Sequence, residues 1–101
     1  MLTDLQSAIK NKKYRITGHA RSEMINDGLS QKEVISSVLS GEIIREYPED
    51  KPFASVLVLG KSEKHTIHSV WAMDMITGMA ILIPVYIPDP LVWDFEFRRK
   101  L

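Results

Sequence analysis

Cysteine is absent from the 101-residue chain. That excludes disulfides, thiolate-held zinc, iron–sulfur clusters and thiol nucleophiles. Net charge is also absent: 13 Lys and Arg balance 13 Asp and Glu, which excludes a uniformly basic nucleic-acid protein. No long hydrophobic run occurs. The longest apolar-rich stretch, Met79 to Ile87, is far too short to span a bilayer. The opening segment turns polar at Asp4 and has no apolar signal-peptide core. Walker and G-x-G-x-x-G phosphate loops are missing. What is present is an ordinary globular balance, 45% hydrophobic and 26% charged, enough for one packed core. Composition therefore predicts a soluble, cytoplasmic, single domain over residues 1–101, with no cofactor.

The patterning divides the chain into a helical first part, about residues 3–40, and a stranded second part, about 42–87. Thr3-Asp4-Leu5-Gln6 fits a capping box, and Leu5, Ala8 and Ile9 recur at helical spacing. Tyr14-Arg15-Ile16-Thr17 reads as a short strand or an extended link. Thr17 suits the N-cap of a second helix ending at Gly28, with Ala20, Met24 and Ile25 as its apolar face. Ser30-Gln31-Lys32-Glu33 is a further capping box, with Leu29 and Val34 placed for a hydrophobic staple. Val34, Ile35, Val38 and Leu39 then form the buried stripe of a third helix.

Four strands follow, with short connections, so neighbours pair antiparallel as a meander. The predicted fold is α+β, with helices on one face of an antiparallel sheet of about four strands and a C-terminal tail over 88–101. Pro84 sits inside the last strand, which must therefore be an edge or carry a bulge.

Several segments resemble an uncharacterised prokaryotic family, domain-of-unknown-function family 4258. The resemblance opens with Tyr14-Arg15-Ile16-Thr17-Gly18-His19-Ala20-Arg21, Met24, Gly28-Leu29-Ser30 and Glu33-Val34. It continues through Glu46-Tyr47-Pro48, Leu57-Val58-Leu59-Gly60, His68, Asp74, Thr77-Gly78, Val85-Tyr86, Pro88-Asp89-Pro90, Trp93 and Arg98-Arg99. The order of elements also resembles the RelE/BrnT-like toxin ribonucleases of toxin–antitoxin systems. That likeness implies a compact α+β, metal-independent endoribonuclease, with RNA and a cognate antitoxin protein as partners.

Metal-free RNA cleavage needs a base, a cation for the phosphate and an acid. The candidate catalytic residues are His19, Arg21, His68 and Tyr86. The candidate phosphate-binding residues are Lys13, Arg15, Arg98 and Arg99. His19 lies at an anion-friendly helix start. Its alternative role is a surface or capping histidine, and that of His68 is a satisfied, half-buried strand histidine. Arg21 falls toward the apolar face on a helical wheel, so it snorkels to solvent, pairs with Glu46 or Asp74, or holds a phosphate. Asp74 alone reads as a turn residue. His65, at a loop edge, reads as solvated, and with no third ligand near His65 and His68 no metal site is expected.

Five of the 13 basic residues lie between Lys10 and Arg21, and Arg98-Arg99-Lys100 adds three more. If the tail returned beside the second helix, these cations would share one face. Tyr86 and Trp93 suit base stacking or core packing. Trp93, Phe95 and Phe97 need cover, which a homodimer through this segment would supply. Pairing Asp74 with Met79 places His68 opposite Val85 and turns Tyr86 to the other face. A bulge at Pro84 or Gly78 reverses that. Two non-enzymatic readings stand beside the ribonuclease: an RNA- or protein-binding module, and a structural homodimer without nucleic-acid contact.

Overall fold

The computed structural model describes residues 1–101. Its elements in chain order are α1 (Leu2–Lys10), β1 (Tyr14–Ile16), α2 (Gly18–Asp27), α3 (Gln31–Leu39), β2 (Glu42–Tyr47), β3 (Ser55–Lys61), β4 (Thr66–Asp74) and β5 (Met79–Tyr86). They make an α+β fold with one five-stranded sheet in the order β1-β5-β4-β3-β2.

Local signals set the helix ends. The Thr17 hydroxyl accepts from the Ala20 N–H at 3.1 Å, and Gly28 closes α2 with φ of 68°. That left-handed conformation is what a glycine tolerates without penalty. At α3 the capping box is complete: Ser30 Oγ accepts from Glu33 N–H, and the Glu33 carboxylate accepts from Ser30 N–H. The Thr3 box is not formed. α1 starts one residue before it, at Leu2, with Met1 as N-cap and no side-chain cap. Leu2 packs against the core, and that burial outweighs the cap.

The sheet has five strands rather than four. β2, β3, β4 and β5 form the antiparallel meander, and β1 joins it parallel to β5. Ala80 N–H donates to Lys13 C=O at 3.0 Å, and Thr17 N–H to Leu82 C=O at 3.2 Å. Tyr14 and Ile16 turn inward against the core, which anchors so short a strand.

β1 covers only Ala80 to Leu82, so β5 is an edge from Ile83 onward. The register also shifts there: Trp71 faces Leu82, but Ser69 faces Val85. Pro84 thus occupies both an edge and a bulge, the two places a strand tolerates proline. The freed edge groups are met by α2. Glu23 Oε1 accepts from Val85 N–H and Asp27 Oδ2 from Ile87 N–H, each at 3.1 Å. Thr17 Oγ1 donates to Ile83 C=O at 3.2 Å. Side chains at the start and along α2 stand in for a missing strand at this edge.

The helices cover one sheet face. Val34 and Val38 of α3 and Ala20 and Met24 of α2 pack with Val56, Val58, Ile67, Trp71, Leu82 and Val85. The Trp71 indole N–H donates to Ser69 Oγ at 3.0 Å, so that buried ring carries no unpaired donor. Leu39 lies at the surface, and so does Ile25, which is 76% exposed. Because Glu23 and Asp27 are drawn to the β5 edge, the side of α2 turned to the sheet carries buried Ala20 and Met24, flanked by half-buried Glu23 and exposed Asp27. Arg21 and Ile25 then fall more than a quarter turn away and face solvent. Val38→Ala removes two methyl groups from a fully buried site. The expected loss is about 1–3 kcal/mol in denaturant unfolding, and an unchanged midpoint would contradict the helix-on-sheet packing.

Candidate functional site

The second sheet face is covered by the C-terminal segment. Beyond Tyr86 the chain crosses this face toward β2. Trp93 and Lys100 form a bridge, Asp94 N–H donates to Arg99 C=O at 2.8 Å, and Leu101 N–H donates to Val92 C=O at 2.7 Å. Asp94 ties the enclosed turn, its Oδ1 accepting from Arg98 N–H at 3.1 Å. Phe97 adopts φ of 61° there. This turns its carbonyl onto His68 Nε2 at 2.7 Å.

His68 sits beneath this cover. The bulge at Ile83-Pro84 shifts the register so that His68 faces Tyr86, not Val85. A carbonyl only accepts, so Nε2 carries the ring proton. In the neutral ring Nδ1 then accepts from the Tyr86 hydroxyl at 3.2 Å. The Trp93 ring closes the third side, edge-on at 4.4 Å between centroids. His68 is fully buried, and burial lowers its pKa from 6.5 against the opposing Phe97 bond. Burial likewise raises the Tyr86 pKa. His68 is therefore a neutral structural ring with both nitrogens engaged.

Around Trp93 the cations gather. The Arg45 guanidinium lies 5.7 Å and the Lys100 ammonium 5.9 Å from its ring centroid. Arg45, Arg98 and Arg99 line one open groove of about 360 Å3 with Ile43 and Ile44. Arg98 forms an ion pair with Glu42, whereas Arg45, Arg99 and Lys100 form none. Arg45 reaches this face because β2 shifts register between Ile43 and Arg45. Ile43 points into the core and Arg45 pairs beside Leu57.

The residues singled out from the sequence divide into separate places. His68 and Tyr86 meet on the tail face. His19 and Arg21 are exposed on α2, in the helix layer. His19 Nε2 lies 3.5 Å from Glu23 Oε1, and Arg21 has no ion pair with Glu46 or Asp74. Asp74 instead caps its turn, Oδ1 accepting from Ile76 and Thr77 N–H. Lys13 and Arg15 belong to the β1 edge and Arg98 and Arg99 to the β2 edge, at opposite ends of the sheet. The shared face of eight cations does not form. Of the three tail aromatics, Trp93 is buried, Phe97 is half-buried and Phe95 is 89% exposed. Most of the aromatic cover is thus intramolecular.

His65 is not solvated. Its Nδ1–H donates to Glu33 Oε2 at 2.8 Å, and the Ser62 hydroxyl donates to the same oxygen at 2.8 Å. With Ser30 N–H on the other oxygen, these donors hold Glu33 at about 2 against an ordinary 4.5, His65 contributing most. The cluster ties the β3–β4 loop to the start of α3. A depressed carboxylate stabilises the fold above its unfolded pKa and stops doing so as pH falls through its folded value. Stability carried by Glu33 is therefore expected to fade between about pH 4.5 and 2. Acid titrations of wild type and Glu33→Gln check this: the variant lacks that slope, and parallel curves would contradict the assignment.

Arg45, the pairing of Glu33 with His65, and the edge-capping pair Glu23 and Asp27 escape the sequence reading. The adjacent Ile43-Ile44, breaking strand alternation before Arg45, is the one signal that points to the first of them. No three His, Asp or Glu side chains converge to hold a metal ion, and no helix is long and apolar enough to cross a membrane. Comparison with curated proteins and with solved structures returns no match, so the likeness to toxin ribonucleases rests on element order alone. The model of the family described as "Domain of unknown function (DUF4258)" matches residues 16–87. That match runs from the last residue of β1 through β5 and covers most of the chain, and the chain belongs to the DUF4258 family.

Proposed function

We propose that this chain is a non-catalytic RNA-binding module whose contact surface is the cationic groove between β2 and the C-terminal segment. The observation that carries it is the convergence of Arg45, Arg98 and Arg99 on one groove, with Arg45 and Lys100 over the adjoining Trp93 ring and only Arg98 of these four cations paired with a carboxylate. Arginine forks suit phosphate oxygens, and converging cations in a groove raise the local potential even on a neutral chain. The metal-independent ribonuclease reading needs His19, Arg21, His68 and Tyr86 around one phosphate. They lie on two faces, and His68 has neither nitrogen free to move a proton. Binding thus accounts for the geometry better than cleavage does.

The test is RNA affinity against salt. Three uncompensated cations predict a log–log slope of about −2, from roughly 0.7 per phosphate contact on single strands. Arg45→Ala combined with Arg99→Ala is expected to flatten the slope by about 1.4. Salt-independent binding, or a slope the double variant leaves unchanged, removes the groove from the account. Chelator-resistant cleavage abolished by His19→Ala or Arg21→Ala would instead establish the ribonuclease.

A further inference from the structure

Arg98 is shared by two neighbouring cavities. On one side is the groove with Arg45 and Arg99. On the other is a larger hollow of about 520 Å3, walled by Phe95 and Phe97 and edged by Ser40, Lys61 and Thr66 together with two carboxylates, Glu96 and the Glu42 that pairs with Arg98. Phe95 is the most unusual part of that wall. It is 89% exposed, yet it stands on a turn held at both ends by Asp94, whose backbone carbonyl accepts from Phe97 N–H at 2.9 Å. An exposed phenyl on an ordered turn loses little freedom when a flat ring stacks on it.

We infer that the ligand of this site is single-stranded RNA, bound with its phosphates along Arg45 and Arg99 and one unpaired base stacked on Phe95 in the adjoining hollow. The inference rests on the RNA-binding reading above and narrows it. Every base offers a π-face, so an aromatic platform beside a cationic track holds single strands with little sequence preference. The hydroxyls of Ser40 and Thr66, the ammonium of Lys61 and the carboxylates of Glu42 and Glu96 edge the same hollow, where they can meet base edges. The carboxylates accept from exocyclic amino groups and keep phosphates out, on the arginine side. A duplex keeps its bases paired and stacked inside and offers no free ring to Phe95. Its phosphates would still reach the arginines.

The experiment is fluorescence anisotropy with three probes: an unstructured oligoribonucleotide of about 12 nucleotides, the same sequence annealed as a duplex, and inorganic polyphosphate as a competitor lacking bases. Wild type is compared with Phe95→Ala and Phe95→Trp, substitutions at a position too exposed to disturb packing. The single strand is expected to bind more tightly than the duplex. Phe95→Ala should weaken the single strand about 10- to 100-fold, with polyphosphate competition unchanged and Phe95→Trp restoring affinity. Equal affinity of wild type and Phe95→Ala for the single strand, or duplex bound as tightly as single strand, overturns the inference while leaving a phosphate-binding groove. Failure of wild type to bind any of the three probes overturns both.

Discussion

Alanine in place of Gly60 is expected to destabilise the fold by about 3 kcal/mol or more, the upper end of the overpacking range. A β-carbon at this position would stand 1.9 Å from the Ser37 carbonyl oxygen and 2.6 Å from its carbon. Both are backbone atoms in α3, so no rotamer change relieves the clash. The helix would have to lift from β3, opening the packing of Val34 and Val38 on Val58. Ser37 is itself buried, its hydroxyl returned to Val34 C=O at 2.7 Å, so the contact has no slack on the helix side. Gly18→Ala is the control, because a β-carbon there meets nothing within 4 Å. Denaturant midpoints should fall sharply for Gly60→Ala and hold within about 0.5 kcal/mol for Gly18→Ala. Matching midpoints would contradict the close approach of α3 to the sheet.

The second large effect is expected at His68. His68→Ala removes a fully buried ring from between Tyr86 and Trp93 and leaves the Phe97 carbonyl without its donor. The expected loss is about 2–4 kcal/mol, combining a packing defect with a broken polar pair. It should fall first on the C-terminal segment, so the amides of Asp94 and Leu101 should lose hydrogen-exchange protection before those of β4. Acid should have a related effect on wild type. The folded pKa of His68 lies below the unfolded value of 6.5, so the neutral ring stabilises the fold above that pH. The stabilisation is lost as pH falls through the folded value, where the ring must charge while buried. Stability of wild type should therefore decline below about pH 6.5, and His68→Ala should lack that segment of the decline. Protection patterns identical in variant and wild type would detach the tail from His68.

The features legible in the sequence are those settled within a few residues. Thr17, Gly28 and the Ser30–Glu33 box act over a single helical turn, and all three hold. The order of helices then strands gives the α+β class. Pro84 announces its bulge because a missing N–H has few tolerated places. That bulge in turn decides that His68 and Tyr86 meet. The missed features depend on segments far apart in the chain. β1 joins β5 across more than sixty residues, and nothing in Tyr14-Arg15-Ile16 names its partner. The wheel placed Arg21 inward because Ile25 counted as an anchor. The polar residues that do turn toward the sheet edge, Glu23 and Asp27, are needed only once the β5 edge is known to want acceptors. The same holds for Arg45, whose role depends on where the tail lands, and for His65, whose carboxylate partner lies 32 residues earlier.

The cationic groove is most directly tested by mapping where RNA touches the folded chain. A 15N-labelled sample titrated with single-stranded oligoribonucleotide should show backbone shifts at Arg45 and from Phe95 to Lys100. The β1 edge at Lys13 and Arg15, and the exposed side of α2 at His19 and Arg21, should stay unmoved. Shifts confined to Lys13, Arg15, His19 and Arg21, with the β2 groove silent, would contradict the assignment and move the site to the opposite edge of the sheet.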